Sequence, residues 1–424
     1  MAERRRRASN EGRGDAEAEA APKPPSFVQQ VQLAYEQVVA AIIRPPRTQY
    51  AMHHLGPMYF NFLGKNFGRE DFVVYNSRGH ALQCSRWAAI PTPAPMMPTI
   101  IFMHGNASAR VEALPQLSVC LSLGISVVSF DFSGSGLSDG EFVTLGAWER
   151  YDIRAVVDYL RGEGKTSTIA FWGRSMGAVT ALLYADEDNM LDAMVLDSPF
   201  ASLKMLAEEL VQKATANSSI KIPKFAVAGV LRLVRASIKK RAQVDIDEIS
   251  AISHVQRMFV PALFCVVRGD SFISNKHSEM LHAQYAGDKF ILAVDGDHNE
   301  VRPPAMHVFV RRFLQRYMQV PANWALETRE SIFTTVAPWH ATHGRVLSGR
   351  PAGAGDPART IPRKELPTGP VPEPSDAYSA NATTGEQTVG MGRAAVHDVV
   401  GNVANLFDAV GVRSKYDDDD DIEI

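Results

Sequence analysis

The chain has 424 residues, of which 46% are hydrophobic and 21% charged, with a formal net charge of −3. This composition excludes a wholly disordered chain and gives no electrostatic case for a nucleic-acid partner. Three cysteines, Cys84, Cys120 and Cys265, are too few for a disulfide framework, and none has CxxC spacing. No apolar run reaches the roughly 18 residues that span a bilayer. The arginines at 4–7 lack the apolar stretch of a signal peptide behind them, and Ala2 stands where myristoylation needs glycine. The expectation is a cytoplasmic protein without a transmembrane segment.

In chain order, residues 1–25 are rich in Ala, Glu, Arg and Pro without apolar periodicity, and are expected to be disordered. Ser26 and Gln29 fit a capping box, and Val28, Val31, Tyr35, Val38 and Ile42 share one face of a helix that Arg44-Pro45-Pro46 ends. A Gln-rich opposite face suits a helix docked on its own domain better than one lying on a membrane. Strands are predicted at Phe72–Val74, Leu82–Ala88, Thr99–Met103, Ser126–Asp131, Thr168–Trp172, Met194–Asp197, Ala262–Val267 and Phe290–Val294. Runs such as Ile100-Ile101-Phe102-Met103 suit strands buried on both faces. Helices are predicted near 109–122, 146–161, 176–185, 276–286 and 304–317. Strand–helix alternation of this kind implies right-handed crossovers and a doubly wound, mostly parallel α/β sheet of about eight strands with helices on both faces. The folded domain is expected over 26–320. Residues 198–258 form a cap-like insertion with helical pieces near 203–214 and 224–241, where Phe225, Val227, Val230, Leu231 and Val234 either line an acyl pocket or pack on the sheet edge. From 321 to 424 a largely disordered tail is expected, Pro- and Gly-rich between Gly349 and Pro374. It carries one helix at about 394–410, with Val396, Val399, Val400, Val403, Phe407 and Val410 on one face, and ends in the acidic run Asp417–Asp421.

Ligands of such sheets bind beyond the C-terminal strand ends, so the chemistry is sought there. Gly173-Arg174-Ser175-Met176-Gly177 follows the predicted strand 168–172 and opens the helix-like run from Ala178. Gly-x-Ser-x-Gly between strand and helix is a nucleophile elbow, in which small residues allow a turn that exposes the serine hydroxyl at a helix N-terminus. Ser175 is the candidate nucleophile. It requires a base, and the base an orienting acid, in the chain order Ser, Asp or Glu, His. His298, in Gly296-Asp297-His298-Asn299, sits in the histidine-bearing turn at a late strand end; His53, His54, His80, His277, His282 and His307 fall before the sheet, in an early turn or within helices. Asp270, after the strand 262–267, is the candidate acid, and Asp297 reads as a turn residue. At the end of the strand 99–103, His104-Gly105-Asn106 places the Asn106 N–H where it forms an oxyanion hole with the N–H of Met176.

These residues resemble the α/β-hydrolase superfamily, and within it the plant and protist serine-peptidase-like subset of serine-aminopeptidase type. The likeness covers residues 26–320 and is carried by Ile42-Ile43-Arg44-Pro45-Pro46-Arg47, His104-Gly105-Asn106, Asp131-Phe132-Ser133-Gly134-Ser135-Gly136-Leu137-Ser138, Gly173-Arg174-Ser175-Met176-Gly177, Leu196-Asp197-Ser198-Pro199-Phe200 and Gly296-Asp297-His298-Asn299. It implies Ser175 as nucleophile, Asp270 as acid and His298 as base. Val267 departs from the glycine usual three residues before the acid. Some α/β-hydrolases carry the acid after an earlier strand, here Asp197, but a turn-capping role beside Pro199 accounts for that residue. The implied activity is hydrolysis of an ester, thioester or amide through an acyl-enzyme, without metal or cofactor, on a small-molecule, acyl or peptide substrate. Family members with this core include peptidases, esterases, lipases and protein depalmitoylases. The competing class is a non-catalytic interaction protein that keeps the hydrolase scaffold.

Overall fold

The computed structural model describes residues 27–216, 224–328, 332–333, 337–341 and 344–353. The expected disordered segment 1–25, Ser26 of the capping box and the tail helix at 394–410 lie outside these residues. The strands are β1 (Tyr59–Phe62), β2 (Lys65–Tyr75), β3 (Ala81–Ala89), β4 (Met97–Met103), β5 (Ser126–Phe130), β6 (Thr166–Arg174), β7 (Ala193–Asp197), β8 (Ala262–Val267), β9 (Lys289–Val294) and β10 (Gly344–Val346). The helices are α1 (Phe27–Ile43), α2 (Leu117–Leu123), α3 (Glu149–Gly162), α4 (Met176–Ala185), α5 (Leu203–Ala216), α6 (Lys224–Ala242), α7 (Asn275–Gln284) and α8 (Pro304–Tyr317).

Unbroken apolar runs need cover on both sides, and the sheet provides it. Every residue of β4, β5, β7 and β8 is buried. Alternate side chains enter two different cores. Ile101, Met103, Val128, Phe130 and Phe171 pack with Ile153 and Val157 of α3 and Val179 and Leu182 of α4. Ile100, Phe102, Val127, Ala170 and Trp172 pack with Leu117 of α2 and Val310 and Leu314 of α8. Two core layers of this kind define a doubly wound α/β fold.

The strand order is β10-β1-β2-β3-β5-β4-β6-β7-β8-β9. Strands β4 to β9 pair in parallel, and β3 joins β5 antiparallel, as do the pairs among β1, β2, β3 and β10. This is the α/β-hydrolase fold. The chain crosses from β5 on one flank of β4 to β6 on the other, so the crevice of the topological switch opens at the C-terminal ends of β4 and β6.

Among the described residues the sheet has ten strands rather than about eight. The first addition, β1, forms a tight hairpin with β2 through Leu63 and Gly64, which take φ of +53° and +78°. Its alternation shows in the burial, with Phe60 and Phe62 buried and Asn61 bonded to Asn66 at 2.8 Å. The second, β10, pairs with β1 along Phe60–Val346 to Phe62–Gly344. The ordered chain therefore runs past the expected boundary at 320. Leu326 donates its N–H to the Ser122 carbonyl at 2.7 Å. The Trp339 ring meets Phe60 edge-on at 5.1 Å and fills the space where a side chain at Gly56 would stand. Burial of Phe333 and Trp339 gives this segment its reason to stay on the sheet.

Of the predicted face of α1, Val38 is buried and Tyr35 and Ile42 are half-buried, while the side chains of Val28 and Val31 lie outside the described set. Val39 and Ile43 are buried as well, and the helix docks on the insertion. Tyr35 donates its hydroxyl to the Leu233 carbonyl at 2.9 Å, and Arg241 of α6 grips Glu36 with two bonds of 2.7 and 2.6 Å. Among the described residues the insertion after β7 holds α5, α6 and three short 3₁₀ turns between Ile246 and Arg257. Of the apolar residues weighed as a pocket lining, Val234 is buried in the core, while the side chains of Phe225, Val227, Val230 and Leu231 lie outside the described set. Among the described residues no helix is long and apolar enough to cross a membrane.

Candidate active site

Ser175 is the single residue between the last residue of β6 and the first of α4, with φ +52° and ψ −116°. Only close packing of strand on helix holds a serine in that region of backbone space. Two glycines permit it. A Cβ on Gly173 would lie 2.4 Å from the carbonyl of Gly177, and one on Gly177 would lie 2.2 Å from the Met103 carbonyl oxygen. The Ser175 N–H is tied to the Asp197 carbonyl at 2.8 Å, which fixes the elbow to β7. The hydroxyl is left at the crevice with 7% of the residue exposed.

The structure brings Ser175, His298 and Asp270 together. Nε2 of His298 lies 3.2 Å from Ser175 Oγ, and Nδ1 lies 2.7 Å from Asp270 Oδ2. With the ring proton on Nδ1, donated to the carboxylate, Nε2 is free to accept from the serine hydroxyl. The other carboxylate oxygen of Asp270 accepts the N–H groups of Phe272 and Ile273 at 2.9 and 2.7 Å. Both partners are sheltered, the side chains of His298 and Asp270 being 5% and 1% exposed, and the Phe272 ring packs edge-on against the imidazole at 5.2 Å. Val267 in place of glycine leaves this geometry intact.

The two backbone donors expected for an oxyanion sit at neighbouring strand ends. Met176 opens α4, so its N–H has no acceptor within the helix. Asn106 lies in the turn after β4 and bonds its own side-chain oxygen to the Ala107 N–H at 3.0 Å. His104 orders that turn from below, one ring nitrogen 2.7 Å from the Gly105 carbonyl and the other accepting the Phe132 N–H at 3.2 Å. This pairing makes it a neutral Nδ1–H imidazole, and burial, the largest influence, holds its pKa below the ordinary histidine value. Thr48 secures the far side by donating to the Ala107 carbonyl at 2.7 Å.

Three neighbours carry more than the sequence suggests. Asp297 is not only a turn residue: one of its oxygens accepts the N–H and hydroxyl of Ser271, both at 2.8 Å, and the N–H of His298 at 2.7 Å. It stitches the acid's loop to the histidine's. Burial acts to raise its pKa, but these bonds and the nearby imidazole leave it lower than usual. Asp197 makes a bond to the Ser198 hydroxyl at 3.1 Å, yet its main partner is Arg302, a residue not singled out in the sequence. Arg174, the variable position of the elbow, is ion-paired with Glu112 and donates to the His298 carbonyl at 3.1 Å. Two other histidines have structural partners: His277 accepts the Ala201 N–H, and His307 lies near the Phe333 carbonyl. Among the described residues no group of three or more His, Cys, Asp or Glu is placed to hold a metal ion.

The chain is similar to several known proteins. Residues 95–259 match the family described as serine aminopeptidase, S33. An uncharacterized protein of Bacillus subtilis, YqkD, is 27% identical over 251 residues, 58% of this chain and 78% of that protein. The lysophosphatidylserine lipase ABHD12 of Rattus norvegicus is 33% identical over 116 residues, and the match takes in 25% of this chain and 28% of the lipase. The chain thus spans little more than a quarter of that relative's length. Among solved structures, the Pyrococcus furiosus esterase Pf2001 aligns with a TM-score of 0.49 at 22% identity, covering 65% of this chain and 98% of the esterase.

Proposed function

We propose that the chain is a serine hydrolase that cleaves carboxylic esters or thioesters through an acyl-enzyme on Ser175. The observation that carries this reading is the connected series Ser175 Oγ–His298 Nε2 and His298 Nδ1–Asp270 Oδ2, at 3.2 and 2.7 Å, in an elbow held at positive φ. Ser175 attacks the acyl carbon while His298 takes its proton, and Asp270 stabilises the imidazolium that results. The N–H groups of Met176 and Asn106 receive the charge on the carbonyl oxygen. His298 then protonates the leaving alcohol or thiol, and a water activated by the same ring releases the acid. The protein supplies every group these steps require, and no metal or cofactor enters them.

The esterase or lipase reading is preferred to a peptidase because the lipase among the relatives acts on an ester, and the sequence shows no charged anchor for a peptide terminus. A depalmitoylase-type thioesterase uses the same steps with a thiolate leaving group. The likeness to the plant and protist serine-peptidase-like subset rests on the sequence motifs, and a cytoplasmic location on composition. Against a non-catalytic scaffold stands the cost of keeping a strained serine hydrogen-bonded to a paired histidine when no chemistry requires it.

The test is labelling with a fluorophosphonate probe, together with turnover of p-nitrophenyl esters, acyl thioesters and aminoacyl amides of graded size. Wild type is expected to be labelled and to hydrolyse the oxygen or sulfur esters, and Ser175→Ala to do neither. Equal labelling of the two proteins would overturn the serine mechanism, and turnover of the amides alone would overturn the choice of substrate class.

A further inference from the structure

Arg174 stands between Gly173 and Ser175 in the chain, but its side chain joins two loops that are far apart in sequence. Its Nε pairs with one oxygen of Glu112, and the other oxygen of Glu112 accepts the Gly105 N–H at 3.0 Å. Its Nη1 donates to the His298 carbonyl at 3.1 Å and to the Asn299 side-chain oxygen at 3.2 Å. One guanidinium therefore braces both the peptide preceding Asn106 and the peptide carrying His298. The fit leaves no spare room on the first side, since a Cβ on Gly105 would lie 3.3 Å from Nη2 of Arg174. Burial opposes ionisation of Glu112, but Arg174 and bonds from Ser108 and Gly105 bring its pKa below the ordinary value, so the brace is an ion pair at neutral pH.

The geometry points to Arg174 as a positioning residue that sets the spacing between the oxyanion donor Asn106 and the general base His298, an inference that rests on the hydrolase reading above. The need for such a residue follows from how the site is built. Ser175 and Met176 are adjacent and locked by the elbow, whereas Asn106 and His298 arrive on separate loops. Transition-state stabilisation requires the donor about 2.7–3.1 Å from the developing oxyanion while the base still reaches the serine. By branching from the residue beside the nucleophile, Arg174 references both loops to Ser175 itself. Arg302 also holds the His298 carbonyl, at 2.9 Å, but its other side chain partner is Asp197 on β7, so it makes no link to the oxyanion turn. A guanidinium is required because a lysine offers a point charge and cannot spread donors over two partners in a fixed plane.

Loss of this brace acts on the transition state rather than on substrate binding, and the readouts follow from that. The full chain is compared with Arg174→Ala, Arg174→Lys and Glu112→Gln on p-nitrophenyl acetate and for inhibition by a trifluoromethyl ketone, whose hemiketal oxygen occupies the oxyanion position. Arg174→Ala is expected to lose about tenfold to a hundredfold in kcat with KM near wild type, the penalty of an ångström-scale misplacement. Affinity for the ketone falls in parallel, and ethylguanidinium added to the solution restores part of the rate. Arg174→Lys and Glu112→Gln fall between Arg174→Ala and wild type, and either one carries the same test if Arg174→Ala does not fold. Wild-type kcat and ketone affinity in the folded variants, or a loss confined to KM, would overturn the proposal alone. A wild type that neither turns over ester nor takes the probe would overturn the hydrolase reading and this proposal with it.

Discussion

The guanidinium of Arg302 and the carboxylate of Asp197 form a buried ion pair, with Nε 2.9 Å from one oxygen and 3.2 Å from the other. From that anchor Arg302 donates to the carbonyls of Asp297, Glu300 and His298 at 3.0, 2.8 and 2.9 Å. Asp197 stands at the end of β7, where an acid for the histidine was one option in the sequence. It is instead committed to the arginine that shapes the histidine's loop, while Asp270 alone of the two contacts the ring.

The two acids should therefore separate cleanly on substitution. Asp270→Asn is expected to fold and to lose about 10⁴-fold in kcat, because the imidazole loses the partner that fixes its tautomer. Asp197→Asn leaves the Arg302 cation buried without its counter-charge and is expected to lose about 3 kcal/mol of stability while keeping measurable activity when folded. Steady-state kinetics and denaturant melts of both proteins check this. An active Asp270→Asn beside a folded, inactive Asp197→Asn would reverse the assignment.

Gly177 touches backbone rather than a side chain that can swing away. The methyl of Gly177→Ala would press on the Met103 carbonyl, so α4 has to lift from β4. Overpacking of this kind costs about 1–3 kcal/mol. The expected result is a lower melting temperature together with a loss of ester turnover. An alanine variant with wild-type melting and kinetics would show that the helix has more clearance than its packing implies.

The C-terminal boundary is testable by truncation. A chain ending at Gly353 retains β10 and Trp339 and is expected to melt and turn over ester as the full chain does. Ending at 330 removes both, uncovers Phe60 and leaves β1 as an open edge, which invites pairing between molecules. The expected readout is a lower melting temperature with added light scattering. Equal behaviour of the two truncations would show that the segment contributes nothing to the sheet.

Acid sensitivity follows from three buried imidazoles. Burial, the first influence in each case, holds His104, His277 and His307 below their ordinary value of 6.5 in the folded chain. His104 and His277 each use a ring nitrogen to accept a backbone N–H, so protonation there sets one donor against another. Between the folded and unfolded pKa values the unfolded chain binds more protons, so stability is full above about 6.5 and declines as pH falls below it. Glu149, raised by burial, works in the opposite direction but at lower pH, near the carboxyl range. Melting temperature is expected to fall from about pH 7 to about 5.5. A flat profile over that interval would contradict neutral burial of these rings.

Much of the candidate site was readable because its signals are local. The elbow needs small residues at 173 and 177 around a serine, and the candidate acid and base each follow a recognisable strand. The supporting charges were not readable for the opposite reason. Glu112 and Arg174 are 62 positions apart, and Asp197 and Arg302 are 105 apart, so only the strand order brings them together. Asp297 looked like a turn residue because its partner Ser271 belongs to another loop. The strands that escaped notice are the shortest, with four residues in β1 and three in β10. Over so few residues alternation cannot be told from chance, and pairing with a distant segment decides the outcome.

A serine at φ +52° is under tension that a glycine at the same place would not feel. Backbone held in such a sparsely occupied conformation costs the folded state about 1–3 kcal/mol. A chain with Ser175→Gly would thus be expected to outlast the parent protein under heat or proteolysis. The hydroxyl at position 175 is thus held at the expense of durability, and the difference in melting temperature between the two proteins measures that expense.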